Sequence, residues 1–176
     1  MKMLKKLLDV VLTGAMALTL LTACGSNAVT EKDIADAMND MAKAAEEDIT
    51  FTPRAKEREM AQKLAALLES HSEDDSNSAE LSAKIQGILG IDQGGVNENN
   101  FVWVQNALTD KLGAEGQAFQ VMESLTDKGG AYNFSSLGSK EPADTRYMGT
   151  ALCKIPDQKD NLVTVRVIVV TAKAEG

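Results

Sequence analysis

The chain predicts an α+β domain in which N-terminal helices pack on a small antiparallel sheet ending in a C-terminal hairpin, much like an αβα sandwich. Three observations point there. Between Thr30 and Leu125 apolar residues recur at helical spacing, broken by polar loops. Beyond Leu125 the texture changes, with Lys128-Gly129-Gly130 and 138–144 reading as loops. The segment 162–173 then places Val163, Val165, Val167 and Val169 on one face at a period of two. Helices first and strands last is the order of an α+β chain.

The first helical pattern starts at Thr30, a good N-cap with Asp33 placed to complete a capping pair. Ile34, Met38, Met41 and Ala45 follow on one side to about Glu47. Residues 49–52 are a short β-prone link. Thr52-Pro53 then offers an N-cap with proline at the first helical position, opening a helix to Ser70 with Met60, Leu64, Leu67 and Leu68 on one side. His71 to Asn77 form a polar, acidic loop; Glu73-Asp74-Asp75 lacks the alternating oxygen ligands and the glycine of an EF-hand. A shorter helix carries Leu81, Ile85, Ile88 and Leu89, and Gly90 stops it. After the loop 94–100, Phe101-Val102-Trp103-Val104 suits a strand or a helix. The common face of Phe101, Val104, Leu108 and Leu112, with Gly113 as a stop, favours a helix. Another helix covers 115–125, turning Ala118, Phe119, Met122 and Leu125 inward.

Two strands follow, 147–155 and 162–173, joined by a hairpin loop over 156–161. An isolated hairpin is marginal in water, so the sheet needs further strands, for which 132–137 and 49–52 are the candidates. The second strand is apolar on both faces, with Leu162, Ile168 and Val170 opposite the valines, and so requires cover on both sides. Arg166 interrupts that second face and calls for solvent or a carboxylate partner. Cys153, a small residue on an alternating strand, reads as a buried filler. Residues 30–176 form one domain.

The start of the chain has the layout of an export signal. Lys2, Lys5 and Lys6 make it positive, and an apolar run over 10–21 is too short to span a bilayer, which takes about 20 residues. The run ends at Leu21-Thr22-Ala23-Cys24-Gly25, which resembles the lipobox of bacterial lipoprotein precursors. The resemblance implies cleavage of residues 1–23, diacylglycerol on the Cys24 thiol, N-acylation (palmitate being typical), and residues 24–29 as a lipidated tether. It places the domain on the extracytoplasmic face of a membrane, plasma or outer. Losing Lys2, Lys5, Lys6 and Asp9 takes the chain from 18 basic and 26 acidic residues to 15 and 25, a net charge of −10. That balance argues against nucleic-acid binding and against lying flat on anionic lipid, both of which need basic patches. With Cys24 acylated, Cys153 has no partner for an internal disulfide, so stability rests on a core.

The order of elements resembles the CAP, or SCP-like, superfamily. The local matches are residues 49–53 leading into the helix of Ala61, Leu64, Ala65 and Leu68; Glu98-Asn99, where the family reads Gly-Glu-Asn; Val121-Met122-Glu123-Ser124; and Tyr147-Met148-Gly149-Thr150-Ala151 before the valine-rich strand. The family's cavity commonly joins two histidines and two acidic groups, sometimes around a divalent metal. This chain has one histidine, His71, so a two-histidine metal site is excluded by composition. What the resemblance leaves is a weak pocket of His71, Glu98 and Asp127. No Gly-x-Ser-x-Gly elbow presents a nucleophile, no phosphate-loop Lys-Ser/Thr follows either glycine pair, and no zinc set forms around Cys153. The expectation is a lipoprotein whose domain, without cofactor or metal, binds a protein, a glycan or a small apolar ligand or supports the envelope. The alternative is a degenerate CAP-type hydrolase or metal-dependent enzyme.

Overall fold

A computed structural model describes residues 29–70, 78–91, 99–109, 112–125, 137, 139–156 and 161–176. In chain order its elements are α1 (Glu31–Ala44), β1 (Thr50–Pro53), α2 (Ala55–Ser70), α3 (Ser78–Leu89), β2 (Asn100–Leu108), α4 (Ala114–Leu125), β3 (Glu141–Pro156) and β4 (Leu162–Glu175). The strands form one sheet in the order β1-β3-β4-β2, with helices on both faces. The class is α+β, as the sequence indicates. The sheet is mixed, however: β1 runs parallel to β3, while β2 and β3 each pair antiparallel with β4.

Thr30 caps α1 as its position suggests. Its hydroxyl accepts from the Asp33 amide at 3.2 Å, and the Asp33 carboxylate accepts from the Thr30 amide at 2.8 Å. Two helical expectations are corrected. Thr52 and Pro53 do not open α2; both lie in β1, and the Arg54 carbonyl accepts the first helical bond from Arg58. The 101–112 helix is instead strand β2, paired with β4 from Asn100–Lys173 to Leu108–Val165. Its Phe101, Trp103 and Ala107 face one helix layer and Val102 and Val104 the other. Apolar residues on both faces erase the alternation that marks a half-buried strand, and the remainder fits helical spacing by accident. Of the candidate strand 132–137, only Leu137 is described, and it is buried under the α1/α4 layer.

The sheet divides the core in two. On one side α1 and α4 cover Phe51, Phe101, Trp103, Met148, Ile168 and Val170. On the other α2 and the end of α3 cover Val102, Cys153, Val165, Val167 and Val169. The even spacing of the four valines is thus realised, with Val163 only partly buried at the end of the row. Gly149 sets the height of α2: a Cβ there would stand 1.9 Å from the Arg58 amide nitrogen and 2.1 Å from the Glu57 carbonyl carbon. Only glycine lets the helix start sit so close to the strand.

Candidate functional site

All four residues singled out from the sequence, Cys24, His71, Glu98 and Asp127, lie outside the described residues. The polar groups that the fold does bring together are others, and they surround Gly149 and Thr150 on β3.

On the α2 face, the Glu57 carboxylate is completely buried. Arg54 Nε donates to its Oε2 at 2.6 Å, Arg54 Nη2 donates to Oε1, and the Thr171 hydroxyl donates to Oε1 at 2.7 Å. The Arg54 guanidinium lies 3.7 Å from the centroid of Tyr147. Burial pushes the Glu57 carboxyl up, but the Arg54 and Thr171 hydrogen bonds and the Arg54 charge outweigh it, so its pKa falls below the usual value. An ionised carboxylate buried in this way, with donors on both oxygens, holds α2 on the sheet and is poorly placed to act as a base.

On the α1/α4 face, Arg166 is buried, and it finds neither solvent nor the carboxylate expected of it. Each of its three guanidinium nitrogens donates to a neutral oxygen: Gln117 Oε1 at 2.9 Å, Thr150 Oγ1 at 3.2 Å and the Val29 carbonyl at 2.7 Å. Glu31 is near enough to raise its pKa, though burial lowers it more. Arg146 is buried among rings, with Trp103 5.4 Å and Phe51 5.8 Å from its guanidinium carbon. Burial lowers its pKa against the pull of Asp144 and Glu47. Among the described residues, Arg146 Nε and Trp103 Nε1 are the two buried side-chain atoms without a hydrogen-bond partner.

Helix side chains also seal the sheet edge formed by β1 and, past Pro53, by β3. Asn39 pairs with both backbone groups of Phe51 at 2.7 and 3.0 Å. Glu31 accepts from the Thr150 amide at 2.8 Å while it binds Arg58 at 2.6 Å, and Glu69 accepts from the Lys154 amide at 2.9 Å. An edge whose amides are occupied in this way is a poor template for a further strand.

Among the described residues, a wide and open concave region lies on the α2 side of the sheet. A cleft of about 560 Å³ opens between α2 and α3, walled by Ala66, Leu67, Gly87 and Ile88 with Lys63 and Lys84 at its sides. Beneath it, a cavity of about 80 Å³ reaches the sheet between Leu64, Leu68, Ile85, Val104 and Val167. Leu67 belongs to both. The size suits a small molecule, and the floor is aliphatic but for Asn106. Cys153 is buried outside this lining, its thiol pKa pushed up by burial and then by Glu69. Among the described residues no three His, Cys, Asp or Glu side chains gather as a metal ion would require, and no helix is long and apolar enough to cross a membrane.

Nothing local in the sequence marks Arg54, Glu57 or Arg146 as buried polar positions, and Thr150 stands out only within the Tyr147–Ala151 match. The Arg54–Glu57 spacing of three residues was the available signal, but it is indistinguishable from a surface pair until Gly149 and Thr171 are brought beneath it. No protein-family model matches the chain, and no curated protein or solved structure matches it either.

Proposed function

We propose that the chain is a bacterial lipoprotein, anchored through acylated Cys24 on the extracytoplasmic face of a membrane, whose small α+β domain binds rather than catalyses. The observation that carries the anchor is the order of a basic start, a short apolar run and Leu21-Thr22-Ala23-Cys24. Support for binding over catalysis comes from the buried polar groups around Gly149. Glu57 is spent on Arg54 and Thr171, and Arg166 on Gln117, Thr150 and the Val29 carbonyl, in geometry that fixes helices to strands. The α2/α3 cleft, with its aliphatic floor, fits a small apolar ligand better than a glycan, which needs an array of hydrogen-bonding groups.

One experiment with two arms tests this. Cys24→Ala should move the chain from the membrane fraction, and the intact mass of the parent should show acyl chains on Cys24; an unmodified thiol there sinks the assignment. In the second arm Gly87→Leu fills the cleft. A Cβ at Gly87 meets nothing within 4 Å, and losing a mid-helix glycine should stabilise α3 by about 0.5–1 kcal/mol. Extracted apolar ligand, weighed by native mass spectrometry, should disappear from a protein that has become more stable. Ligand retained unchanged by Gly87→Leu would place binding elsewhere.

A further inference from the structure

Of the described residues, Leu152 and Leu162 are the large apolar side chains left most exposed, at 52% and 72%. They are not scattered. Leu152 pairs across the ladder with Arg166, and Leu162 pairs with Pro156 at the end of the β3–β4 hairpin. Both stand on the α1/α4 face of the sheet, with exposed Lys154 between them. Helix α1 does not cover them, and α4 leaves both exposed. Glu31, at the start of α1, lies at Thr150, and Asn39 lies at Phe51, level with Arg146, so α1 runs away from the hairpin. Gln117, one turn into α4, lies at Arg166.

The same pole of the molecule holds the exit of the N-terminal segment. The Val29 carbonyl is clamped by buried Arg166 at 2.7 Å, and α1 begins two residues later. Cys24 is five residues before Val29. Fully extended, five residues span at most about 18 Å. Leu152 is directly across from Arg166, and Leu162 is four residues along β4, roughly 13 Å at a strand's rise. Both leucines thus lie at the pole where the tether leaves the domain, at distances comparable to its reach.

From this juxtaposition we infer that the uncovered hairpin face, Leu152, Lys154 and Leu162, is a membrane-contact surface that rests on the bilayer holding the Cys24 lipid. This rests on the lipoprotein reading. A tether this short keeps the pole at the bilayer, two leucines enter the acyl boundary, and the lysine between them reaches the headgroups. The net charge of −10 turns the remaining surface away from anionic lipid, which fixes the orientation further. The α2/α3 cleft then opens on the opposite face of the sheet, clear of the contact.

The test uses the full chain, acylated in a bacterial host and reconstituted in phosphatidylethanolamine/phosphatidylglycerol vesicles. Cys153 is buried and Cys24 acylated, so a cysteine introduced by Leu152→Cys, Leu162→Cys or, as reference on exposed α3, Ser82→Cys takes a nitrobenzoxadiazole label alone. Both leucine positions are exposed, so folding is not at stake. Relative to the same variants carrying Cys24→Ala, labels at 152 and 162 should shift to the blue with about a twofold gain in emission, and the label at 82 should not change. If the chain floats with the vesicles and all three labels respond alike, the contact surface is wrong and the anchor stands. If it fails to float and Cys24 carries no lipid, both fall.

Discussion

On the α2/α3 face of the sheet the buried charge is a carboxylate, and both oxygens of Glu57 have donors; on the α1/α4 face the buried charges are two guanidiniums, and among the described residues neither has a carboxylate within hydrogen-bonding distance. The surroundings differ in step. Around Glu57 the layer is made of valine, leucine and alanine, which offer no polar groups, so Arg54 and Thr171 have to supply every bond. Around the guanidiniums lie aromatic rings, an amide, a hydroxyl and a backbone carbonyl, which can stabilise a cation without an opposite charge. One sheet thus buries charge by ion pairing on one side and by dipoles and π faces on the other.

The largest effect should come from placing a charge where neither solution is at hand. Val167 is fully buried on the aliphatic face, and Val167→Asp should cost about 4 kcal/mol or more, a large share of a domain's ordinary stability. Leu162→Asp, on the same strand but exposed, should stay within about 0.5 kcal/mol. Urea denaturation distinguishes the two. A Val167→Asp loss as small as that of Leu162→Asp would mean that this face is not closed.

Next in size is Glu57→Gln, which keeps the shape but removes the charge that Arg54 and Thr171 converge on. It should cost about 2–3 kcal/mol at neutral pH. Because the folded pKa of Glu57 is depressed, its contribution is complete above the ordinary glutamate value and is lost as pH falls through the folded one. The gap between parent and variant should therefore close on the acid side and stay constant on the alkaline side. A gap that is the same at every pH would remove the ion pair from the account.

The two arginines sharpen the comparison within one face. Arg166→Met leaves the Gln117 amide, the Thr150 hydroxyl and the Val29 carbonyl without their donor, and should cost about 2 kcal/mol. Arg146→Met removes a charge whose Nε is already unpartnered and adds apolar volume among rings, so it should be neutral or stabilising by about 1 kcal/mol. Thermal denaturation followed through Trp103, the single tryptophan, reads both. Equal losses would show that the ring-lined cation is as firmly held as the oxygen-bound one.

What the sequence disclosed of this architecture depended on whether its cause was local. Thr30 with Asp33, Gly90, and the alternating valines of β4 announce a cap, a stop and a strand by chemistry acting within a few residues. The β2 strand was hidden because both its faces are covered, and the parallel pairing of β1 with β3 because nothing in Thr50-Phe51-Thr52-Pro53 encodes a partner more than ninety residues away. The polar contacts around Gly149 and Thr150 are the extreme case. Glu31 meets Thr150 and Arg58, and Arg166 meets Val29, only after the whole chain has folded. The residues that sequence did single out, Cys24, His71, Glu98 and Asp127, stand on segments outside the described fold.

The smallest effect separates the ends of one helix on each face. α3 ends with Gly90 at a φ of 70°, its amide donating to Gly87 and the Ile91 amide to Gln86, which is the pairing of a Schellman cap. α1 ends in the same pairing, Glu46 to Lys43 and Glu47 to Ala42, but the residue at positive φ is Glu46, at 58°. A side chain in the left-handed region costs about 1–2 kcal/mol that glycine does not incur, partly offset by glycine's greater freedom in the unfolded chain. With no glycine to mark the end, the helical pattern reads on to Glu47. Glu46→Gly should therefore stabilise the domain by about 0.5–1 kcal/mol, and Gly90→Ala should destabilise it by about 1 kcal/mol. Because Glu46 is exposed, lost packing does not blur the first result. A loss of stability in Glu46→Gly, measured by urea denaturation, would mean that glycine's freedom in the unfolded chain outweighs the strain of the Glu46 Cβ.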